Sequence, residues 1–419
     1  MNEHHFWIEH FRASRRYFLR FGAVGAAALS ALPVAAMDQV GKEGLQRAID
    51  DLGPWLTGQD DFQDVSRGNP KPHTLSDQKR EEVGLTRETW QMEVVSDPEN
   101  PSRLRSPLST ADGTSFDFKA LMQLAKTHAV RFPKVMTCLN IGCPLGNGIW
   151  EGVPLREVLW LTQPTKDLRR VFYHGFHNDD ETQMFRSSLP VGRVLEDPFG
   201  LPPVILCYKL NGQWLTPERG GPVRIVMPEA YGFKSIKWLS HVYLSNLAHA
   251  NDTYAEKNND VDSPMKTFCA TLSVPGNLQA GAPIPITGWA QAGISGLAKV
   301  QVWIQNKEQA WEGDRYFSDA PWRDAEILPA PGEWDAFGWE NDAEIRLPEK
   351  THGFDDGQPT RWPLRLTQAH WATLHPGLPA GQYVLRCRTI DEQSHGQPMP
   401  RPFRKSGHAA IEERQLVIE

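Results

Sequence analysis

The sequence predicts an α+β domain followed by an all-β domain of the immunoglobulin-like sandwich type. The chain has 419 residues, which is too long for a single hydrophobic core. Between residues 86 and 250, short apolar runs alternate with turn signals and one helical pattern, as in a mixed α/β domain. From residue 263 to 419 the apolar runs have strand character alone and are separated by Gly and Pro turns.

The N-terminal segment is typical of an export signal. Residues 14–20 read SRRYFLR and precede a weakly apolar run at 21–36, which predicts the twin-arginine route. That run of 16 residues is shorter than the roughly 20 that span a bilayer, and Ala35 and Ala36 offer a cleavage point. The alternatives are an ordinary secretion signal and a membrane anchor. Because the twin-arginine route carries folded proteins, we expect a periplasmic protein that acquires a cofactor before export, with residues 1–36 removed.

The next segment, residues 37–85, is polar and contains Pro70 and Pro72. It predicts an irregular N-terminal arm that wraps the first domain. Within the first domain, residues 86–250, the patterns predict four strands and one helix. The strands cover 90–95, 134–138, 167–174 and 204–210, and the helix covers 154–159.

A polar stretch at 248–262 marks the predicted boundary between the two domains. In the second domain, 263–419, the insert at 310–375 is rich in Trp and Pro, so part of it is expected to be an elaborated loop. The predicted strands of this domain cover 269–274, 284–289, 298–305, 383–389 and 414–418.

Charge and cysteine usage exclude several classes of protein. The formal net charge is −7 and no basic stripe occurs, so a nucleic-acid partner is not expected. The chain has an odd number of cysteines, five, so at least one thiol is not in an intramolecular disulfide. No Cys-x-x-Cys-His motif occurs, so no covalently attached c-type haem is expected, and no paired Cys-x-x-Cys motifs indicate zinc or iron–sulfur binding.

Cys138 is the first candidate for chemistry, since it ends a predicted buried strand and precedes the glycine-rich run 139–148. A thiolate in this position could bind a soft metal centre. Two other interpretations remain open from the residues alone, namely a core cysteine and a disulfide with Cys143.

The segments downstream of Cys138 form an ordered series of motifs that resembles the molybdopterin domain of the sulfite oxidase family. The series comprises GVPLREVL at 152–159, SSLP at 187–190, YKLNG at 208–212, GGPVRIV at 220–226 and YGFKSIKWL at 231–239. In the second domain, the motifs GQY at 381–383, RTID at 388–391 and GQP at 396–398 resemble the dimerisation domain of the same family. The resemblance implies the sulfite oxidase fold and a molybdenum–molybdopterin cofactor, and that of the second domain suggests a homodimer.

The resemblance also implies roles for individual residues. Cys138 would supply the protein thiolate to molybdenum, while the pterin dithiolene supplies the other sulfurs. Arg224 and Lys237, with groups around Ser235 and Ile236, would hold the pterin phosphate and ring. Outside such a motif, Arg224 would be interpreted as a surface ion-pair residue and Lys237 as a solvated strand residue.

Three positions depart from the family pattern. Phe185 stands where the family has a tyrosine beside the metal, His177 where it has a pterin-contacting aspartate, and Arg219 where it has a histidine. The residues after Cys138 also differ from the family's Cys-x-Gly-Asn-Arg run. The predicted catalytic residues are therefore Cys138, Phe185, His177 and Arg219, the last two also contacting the cofactor.

The N-terminal arm supplies further predicted contacts, because relatives use such an arm to reach the cofactor. Arg67 and Asn69 are predicted to bind it. Cys143 could be a second thiol at the site, a disulfide partner or a buried residue. Other cations that could reach the site are Lys71, His73, His174 and Arg186.

The implied reaction is oxygen-atom transfer, as in a sulfite dehydrogenase that acts on a small oxyanion or sulfur compound. Because no haem motif occurs in the chain, electrons would pass to a separate periplasmic c-type cytochrome or a similar carrier. The alternatives are a reductase of sulfoxides or other oxo compounds with the same cofactor, fed by a membrane quinol partner, and a metal-free binding protein on this fold.

Overall fold

The computed structural model describes residues 39–331, 351–355, 358–398, 405–407 and 409–419. The predicted export signal at 1–36 lies outside these residues. Within the described part of the chain, no helix combines the length and the apolar character needed to cross a membrane.

The arm begins with helix α1 (Gln39–Asp50), which packs on the second domain. Its apolar residues Leu45 and Ile49 recur at helical spacing and join the buried cluster that contains Trp289 and Leu374 of that domain. The expectation of an irregular arm around the first domain is therefore wrong for this part. One apolar stripe in an otherwise polar segment is enough to attach a helix.

The first domain consists of two five-stranded sheets with helices at their edges. One sheet has the order β2-β1-β10-β5-β6; in the other, β3-β4-β7-β8 are neighbours and β9 pairs with β7. The strands are β1 (Gln91–Ser96), β2 (Phe116–Asp117), β3 (Val130–Cys138), β4 (Cys143–Pro154), β5 (Arg170–Gly175), β6 (Ser187–Pro190), β7 (Ile205–Leu210), β8 (Gln213–Trp214), β9 (Arg224–Val226) and β10 (Leu239–Ser245). The remaining helices are α2 (Asp77–Glu82), α3 (Phe118–His128), α4 (Leu155–Leu161) and α5 (Val191–Leu195), and short 3₁₀ turns cover Gln59–Asp61, Pro72–Thr74, Glu181–Gln183, Pro217–Arg219 and Gly232–Lys234.

The two sheets share one core. Val171 of β5 and Val242 of β10 lie in the same buried cluster as Leu206 of β7 and Ile225 of β9. All four predicted strands and the predicted helix of this domain are present, each with at least one end shifted. Because the two sheets pack against each other, their strand ends are held in fixed positions, and the side chains of the candidate site lie at those ends.

The second domain is a sandwich of two layers, which confirms the predicted fold class. Ile286 and Trp371 from one layer pack with Val302 and Leu385 from the other. The strand order is β11-β12-β17-β14-β13-β18-β19, and β14 pairs with both β17 and β13, so it joins the layers. The strands are β11 (Phe268–Ser273), β12 (Ile284–Gln291), β13 (Lys299–Asn306), β14 (Arg323–Ile327), β17 (Gln368–His375), β18 (Gly381–Ile390) and β19 (Glu412–Ile418), with the small pair β15 (Phe354–Asp355) and β16 (Gln358–Pro359) beside them.

The insert at 310–375 contributes more than a loop. It contains β14 and β17, which occupy the middle of the sheet order. These two strands were not predicted, whereas the loop was expected for only part of the insert, of which residues 332–350 and 356–357 lie outside the described residues.

The predicted boundary segment, 248–262, packs on the first domain. Asp252 is buried and accepts hydrogen bonds from the hydroxyl of Ser188 and the backbone N–H of Tyr254. The aromatic ring of Tyr254 is buried as well. This segment is thus part of the wall of the first domain as well as the connection to the second.

Candidate functional site

A cavity opens where the ends of the two sheets of the first domain meet the N-terminal arm. Its empty volume is about 1170 Å³, open solvent included, which suffices for a large cofactor with a substrate beside it. Its walls include arm residues 62–63 and 65–68, residues 138–140 at the end of β3, 175–177 at the end of β5, 232–233 and 235–238 before β10, and Tyr254.

Cys138 ends β3 and lines this cavity. It pairs in register with Cys143 at the start of β4, and the N–H of Gly142 donates to the Cys138 carbonyl at 3.0 Å. Both cysteines are half-buried, and neither is in a disulfide bond. The turn therefore presents the Cys138 thiol to the cavity unbridged.

Arg219 and Arg224 form a buried cationic wall of the cavity. Arg219 donates from Nη1 to the Phe62 carbonyl at 3.0 Å, and Arg224 donates to the carbonyls of Arg219 and Ser235 at 2.8 and 2.6 Å. The Nε atoms of both guanidinium groups are buried and have no hydrogen-bond partner among the described residues. Burial, with a smaller contribution from Arg219, lowers the pKa of Arg224 to about 10, so Arg224 remains charged at neutral pH.

Lys237 is the third cation of the wall and is held by the arm. Its Nζ donates to Ser66 Oγ at 2.6 Å, to Asp64 Oδ1 at 3.2 Å and to the Glu218 carbonyl at 2.6 Å. Burial and the charge of Arg224 lower the pKa of Lys237 to about 7, against the opposing effect of Asp64. The lysine can therefore lose its proton near neutral pH unless an anion binds beside it.

Asp64 connects the arm to this wall. Burial alone would raise the pKa of its carboxyl group, but Lys71, Ser66 and Lys237 together hold that pKa well below its ordinary value. The Lys71 ammonium lies 2.7 Å from Asp64 Oδ2 on the outer side. The Asp64 carboxylate thus connects the arm to Lys237 on the cavity wall.

A glycine allows the backbone next to Arg219 to approach Lys237 closely. Gly220 has a φ of +96°, and a Cβ atom there would lie 2.7 Å from Cγ of Lys237. A side chain at this position would therefore displace the lysine, so the close approach requires glycine. Next to it, Ser235 fixes the 232–238 segment, since its hydroxyl accepts the N–H of Met227 at 3.1 Å.

Aromatic rings form the outer part of the cavity. Tyr254 stacks on Phe233 with ring centroids 4.0 Å apart and meets Phe185 edge-on at 5.7 Å. The Arg67 guanidinium lies over the Phe185 ring at 4.2 Å. The Tyr254 hydroxyl donates to Asn140 Oδ1 at 3.4 Å, and burial, together with the nearby Cys138, raises the pKa of Tyr254 to about 12.

Comparisons with known proteins agree with this geometry. The family model of the oxidoreductase molybdopterin binding domain matches residues 85–253. The NADH nitrate reductase of Spinacia oleracea is 28% identical over 182 residues, which are 42% of this chain and 19% of that protein. The mitochondrial sulfite oxidase of Drosophila melanogaster is 28% identical over 116 residues, 27% of this chain and 19% of that protein. The matched part thus spans about a fifth of the length of these curated relatives.

The chain contains an oxidoreductase molybdopterin binding domain and resembles sulfite oxidases and nitrate reductases there. Its fold is also that of a solved structure, the sulfane dehydrogenase SoxCD from Paracoccus pantotrophus, with a TM-score of 0.55 and 17% sequence identity. This superposition covers 80% of the present chain and 77% of the other, so it extends beyond the molybdopterin domain into the sandwich.

The residues of the cavity fit the cofactor that the family implies. Molybdopterin carries a phosphate, and the cavity wall offers two buried guanidinium groups with unpaired N–H donors beside Lys237. An unpaired buried donor costs free energy unless a ligand accepts its proton. The Cys138 thiol faces the same space. The matched molybdopterin binding domain and this donor set support a molybdenum–molybdopterin site.

Most of the predicted site residues line this cavity. Arg67, His177 and Phe185 do so, as do Arg219, Arg224 and the run from Ser235 to Lys237. Asn69 is not among the lining residues: its backbone N–H donates to Gln183 Oε1 at 2.8 Å and holds the arm to the domain. Arg186 donates to the Asn251 carbonyl at 2.9 Å instead.

Three residues of the site carried no sequence signal. Tyr254 lies in the polar boundary segment, while Asp64 and Ser66 lie in the arm just before the predicted contact residue Arg67. The polar boundary segment packs on the first domain, but its sequence alone is typical of a linker. The acidic residue next to a predicted cationic arm is the one hint that could have indicated the contact with Lys237.

Proposed function

We propose that the chain is a periplasmic molybdenum-dependent oxidoreductase that adds an oxygen atom to a small sulfur compound. The observation that carries this proposal is the cavity in which a free, half-buried thiol faces buried guanidinium groups with unpaired N–H donors. The molybdopterin binding domain, the resemblance to sulfite oxidases and the fold shared with a sulfane dehydrogenase support it.

The residues of the chain would act as follows. Cys138 would bind molybdenum through its thiolate, and Arg219, Arg224 and Lys237 would bind the phosphate of the pterin by charge-assisted hydrogen bonds. When bound, the molybdenum centre supplies two-electron oxygen-atom transfer. The arm would hold Lys237 in position through Asp64 and exclude water from the pterin side.

The outer part of the cavity would bind the substrate. Arg67 is exposed at the mouth and offers a cation to an oxyanion, while the Tyr254 hydroxyl remains protonated and can donate a hydrogen bond. Phe185 offers an apolar face and no hydroxyl. Over one turnover the sulfur atom gains an oxygen that derives from water, two electrons leave one at a time, and two protons pass to solvent.

The remaining parts of the proposal concern the surroundings of the enzyme. The twin-arginine motif at 14–20 supports export in the folded state, and a separate periplasmic c-type cytochrome would accept the electrons. The sandwich domain would form a homodimer interface. Electron transfer that weakens with added salt would support a transient, charge-guided encounter.

A reductase of sulfoxides is a second candidate. The rings of Phe185, Phe233 and Tyr254 suit a neutral organic molecule better than a hydrated dianion. Sulfite-dependent reduction of ferricyanide and dye-coupled reduction of sulfoxides, measured on the same preparation, distinguish the two directions.

The test combines metal analysis with one pair of variants. We expect about one molybdenum and one pterin per chain in protein matured in a host that makes the cofactor. Cys138→Ser should lose at least about 100-fold in turnover, because a hydroxyl is a poor ligand for a soft metal. The matched control is Cys143→Ser, which removes the facing thiol and should stay within about threefold of wild type.

Two results would overturn the proposal. Full activity in Cys138→Ser would place the metal ligand elsewhere, with Cys143 the first candidate. Absence of molybdenum from properly matured protein would favour the metal-free binding protein on this fold.

A further inference from the structure

Four titratable side chains form a continuous row from the surface to the cavity. Glu93 of β1 pairs in register with His241 of β10, which pairs with His174 of β5. His177 follows β5 and lines the cavity. The row therefore crosses three neighbouring strands and ends where the reaction would take place.

The members of the row are in contact. Glu93 Oε2 lies 3.4 Å from His241 Nε2. The rings of His241 and His174 stack with centroids 4.6 Å apart and planes at 18°. His174 meets His177 at a centroid distance of 5.3 Å with an interplanar angle of 69°.

Hydrogen bonding leaves proton acceptors inside this row. His174 is 2% exposed, and its Nδ1 lies 3.0 Å from the Gly175 carbonyl. A carbonyl only accepts, so Nδ1 carries the proton and Nε2 has a free lone pair. The Nε2 atoms of His174 and His177 are both buried and have no hydrogen-bond partner among the described residues. Two buried ring nitrogens in succession without a hydrogen bond are unusual unless they serve a purpose.

The surroundings favour the neutral form of His174 and His241. Burial is the main cause that lowers the pKa of His174 to about 4, and His241, His177 and Arg186 lower it further. Burial also lowers the pKa of His241, although Glu93 and Glu181 oppose it. A neutral imidazole can take up a proton briefly and pass it on, which is what a relay requires. Other groups that face the row are Tyr243, the carbonyl of Gly175 and the Glu181 carboxylate, which lies 3.7 Å from His177 Nε2.

We propose that His177, His174, His241 and Glu93 form the path by which protons leave the cavity. The inference rests on the proposed function, in which each turnover releases two protons while two electrons pass to the external carrier. A proton would move from the cavity to His177, then to Nε2 of His174, then through His241 to the Glu93 carboxylate and solvent. Because stacked rings share no hydrogen bond, each transfer between rings needs a ring flip or a bridging water.

The central variant is His174→Phe, which keeps a planar ring against His241 and removes both nitrogens. We expect turnover to fall about tenfold, with molybdenum content unchanged and a larger solvent isotope effect. Added imidazole should restore part of the rate. The matched control is Tyr243→Phe on the same face, which touches two rings of the row without belonging to it and should behave as wild type.

A second measurement does not depend on turnover or on the folding of a variant. Nitrogen-15 NMR of histidine-labelled wild-type protein should show His174 neutral, with its proton on Nδ1, from about pH 6 to 8. A charged ring or an Nε2–H tautomer would refute the relay, as would unchanged turnover and isotope effect in His174→Phe. If wild-type protein oxidises no substrate at all, the proposed function fails as well; an active wild type with an unaffected variant refutes the relay alone.

Discussion

Buried cations occur in two settings in the first domain, and only one of them indicates a ligand. Lys134 of β3 donates from Nζ to the carbonyls of Pro228 and Ala230, each at 2.8 Å. Lys234 donates to the Ser188 carbonyl at 2.7 Å and lies 3.8 Å from the Asp252 carboxylate. In both lysines the ammonium group is paired with protein oxygens.

Arg219 and Arg224 are equally buried but differ in their hydrogen bonds. Each donates to protein carbonyls and still has a buried Nε–H without a partner among the described residues, at the wall of the cavity. Burial of a positive charge is thus common to structural and ligand-binding positions. The unpaired donor beside open space separates the two.

The largest expected effect comes from exchanging one cation in each setting for an apolar side chain. Arg224→Met should lower the pterin and molybdenum content at least about tenfold, because charge-assisted hydrogen bonds are worth about 1.5–3 kcal/mol each. Lys134→Met should leave the cofactor content per folded chain unchanged. Its effect should instead be a loss of about 1–3 kcal/mol in the free energy of unfolding, since two buried carbonyls lose their donor. Metal analysis and denaturant unfolding measure the two quantities.

Equal loss of cofactor in both variants would show that the unpaired Nε–H does not distinguish a ligand-binding cation from a structural one. Cofactor retained in Arg224→Met would move the phosphate site away from this wall.

The next effect is a pH dependence of stability in the cofactor-free protein. Burial lowers the pKa of Lys134 and Lys237 to about 7 in the folded state, whereas unfolded lysine titrates near 10.4. Between these values the unfolded chain binds more protons, so the free energy of unfolding should rise with pH from about 7 to 10. The slope is at most about 1.4 kcal/mol per pH unit for each lysine.

Lys134→Met should remove its share of this slope, and denaturant unfolding at a series of pH values measures it. A flat profile in the cofactor-free wild type would show that these ammonium groups are not titrating as their burial requires.

The smallest effect should arise at the mouth of the cavity, where Arg67 is exposed and stacks on Phe185. Arg67→Gln should raise KM for an anionic substrate about three- to tenfold, with kcat and molybdenum content within about twofold of wild type. A neutral sulfoxide should show little change. Loss of molybdenum in this variant would instead assign Arg67 to the cofactor, as its position in the arm predicts.

The strands could be predicted where apolar runs are dense, because burial on both faces gives a continuous hydrophobic segment. Helix α1 was missed since only one stripe, with Leu45 and Ile49, is apolar. Strands β14 and β17 were missed because β14 reads RDAEI and β17 carries two histidines, although β17 is largely buried. Their position in the sheet order comes from partners distant in sequence.

The candidate site was predictable only in part, because it also depends on partners that are distant in sequence. Motif order identified Arg224, Lys237 and the thiol of Cys138, whereas no local pattern could bring Tyr254 or Asp64 to the same cavity. Contacts between segments more than 100 residues apart depend on packing, which a single sequence does not display.

X-ray absorption at the molybdenum edge tests the central claim most directly, namely that the thiol of residue 138 binds the metal. In the wild-type protein we expect sulfur scattering from the pterin and from one further protein ligand. In Cys138→Ser the sulfur count should fall by about one while the pterin sulfurs remain. An unchanged spectrum in that variant would contradict the account.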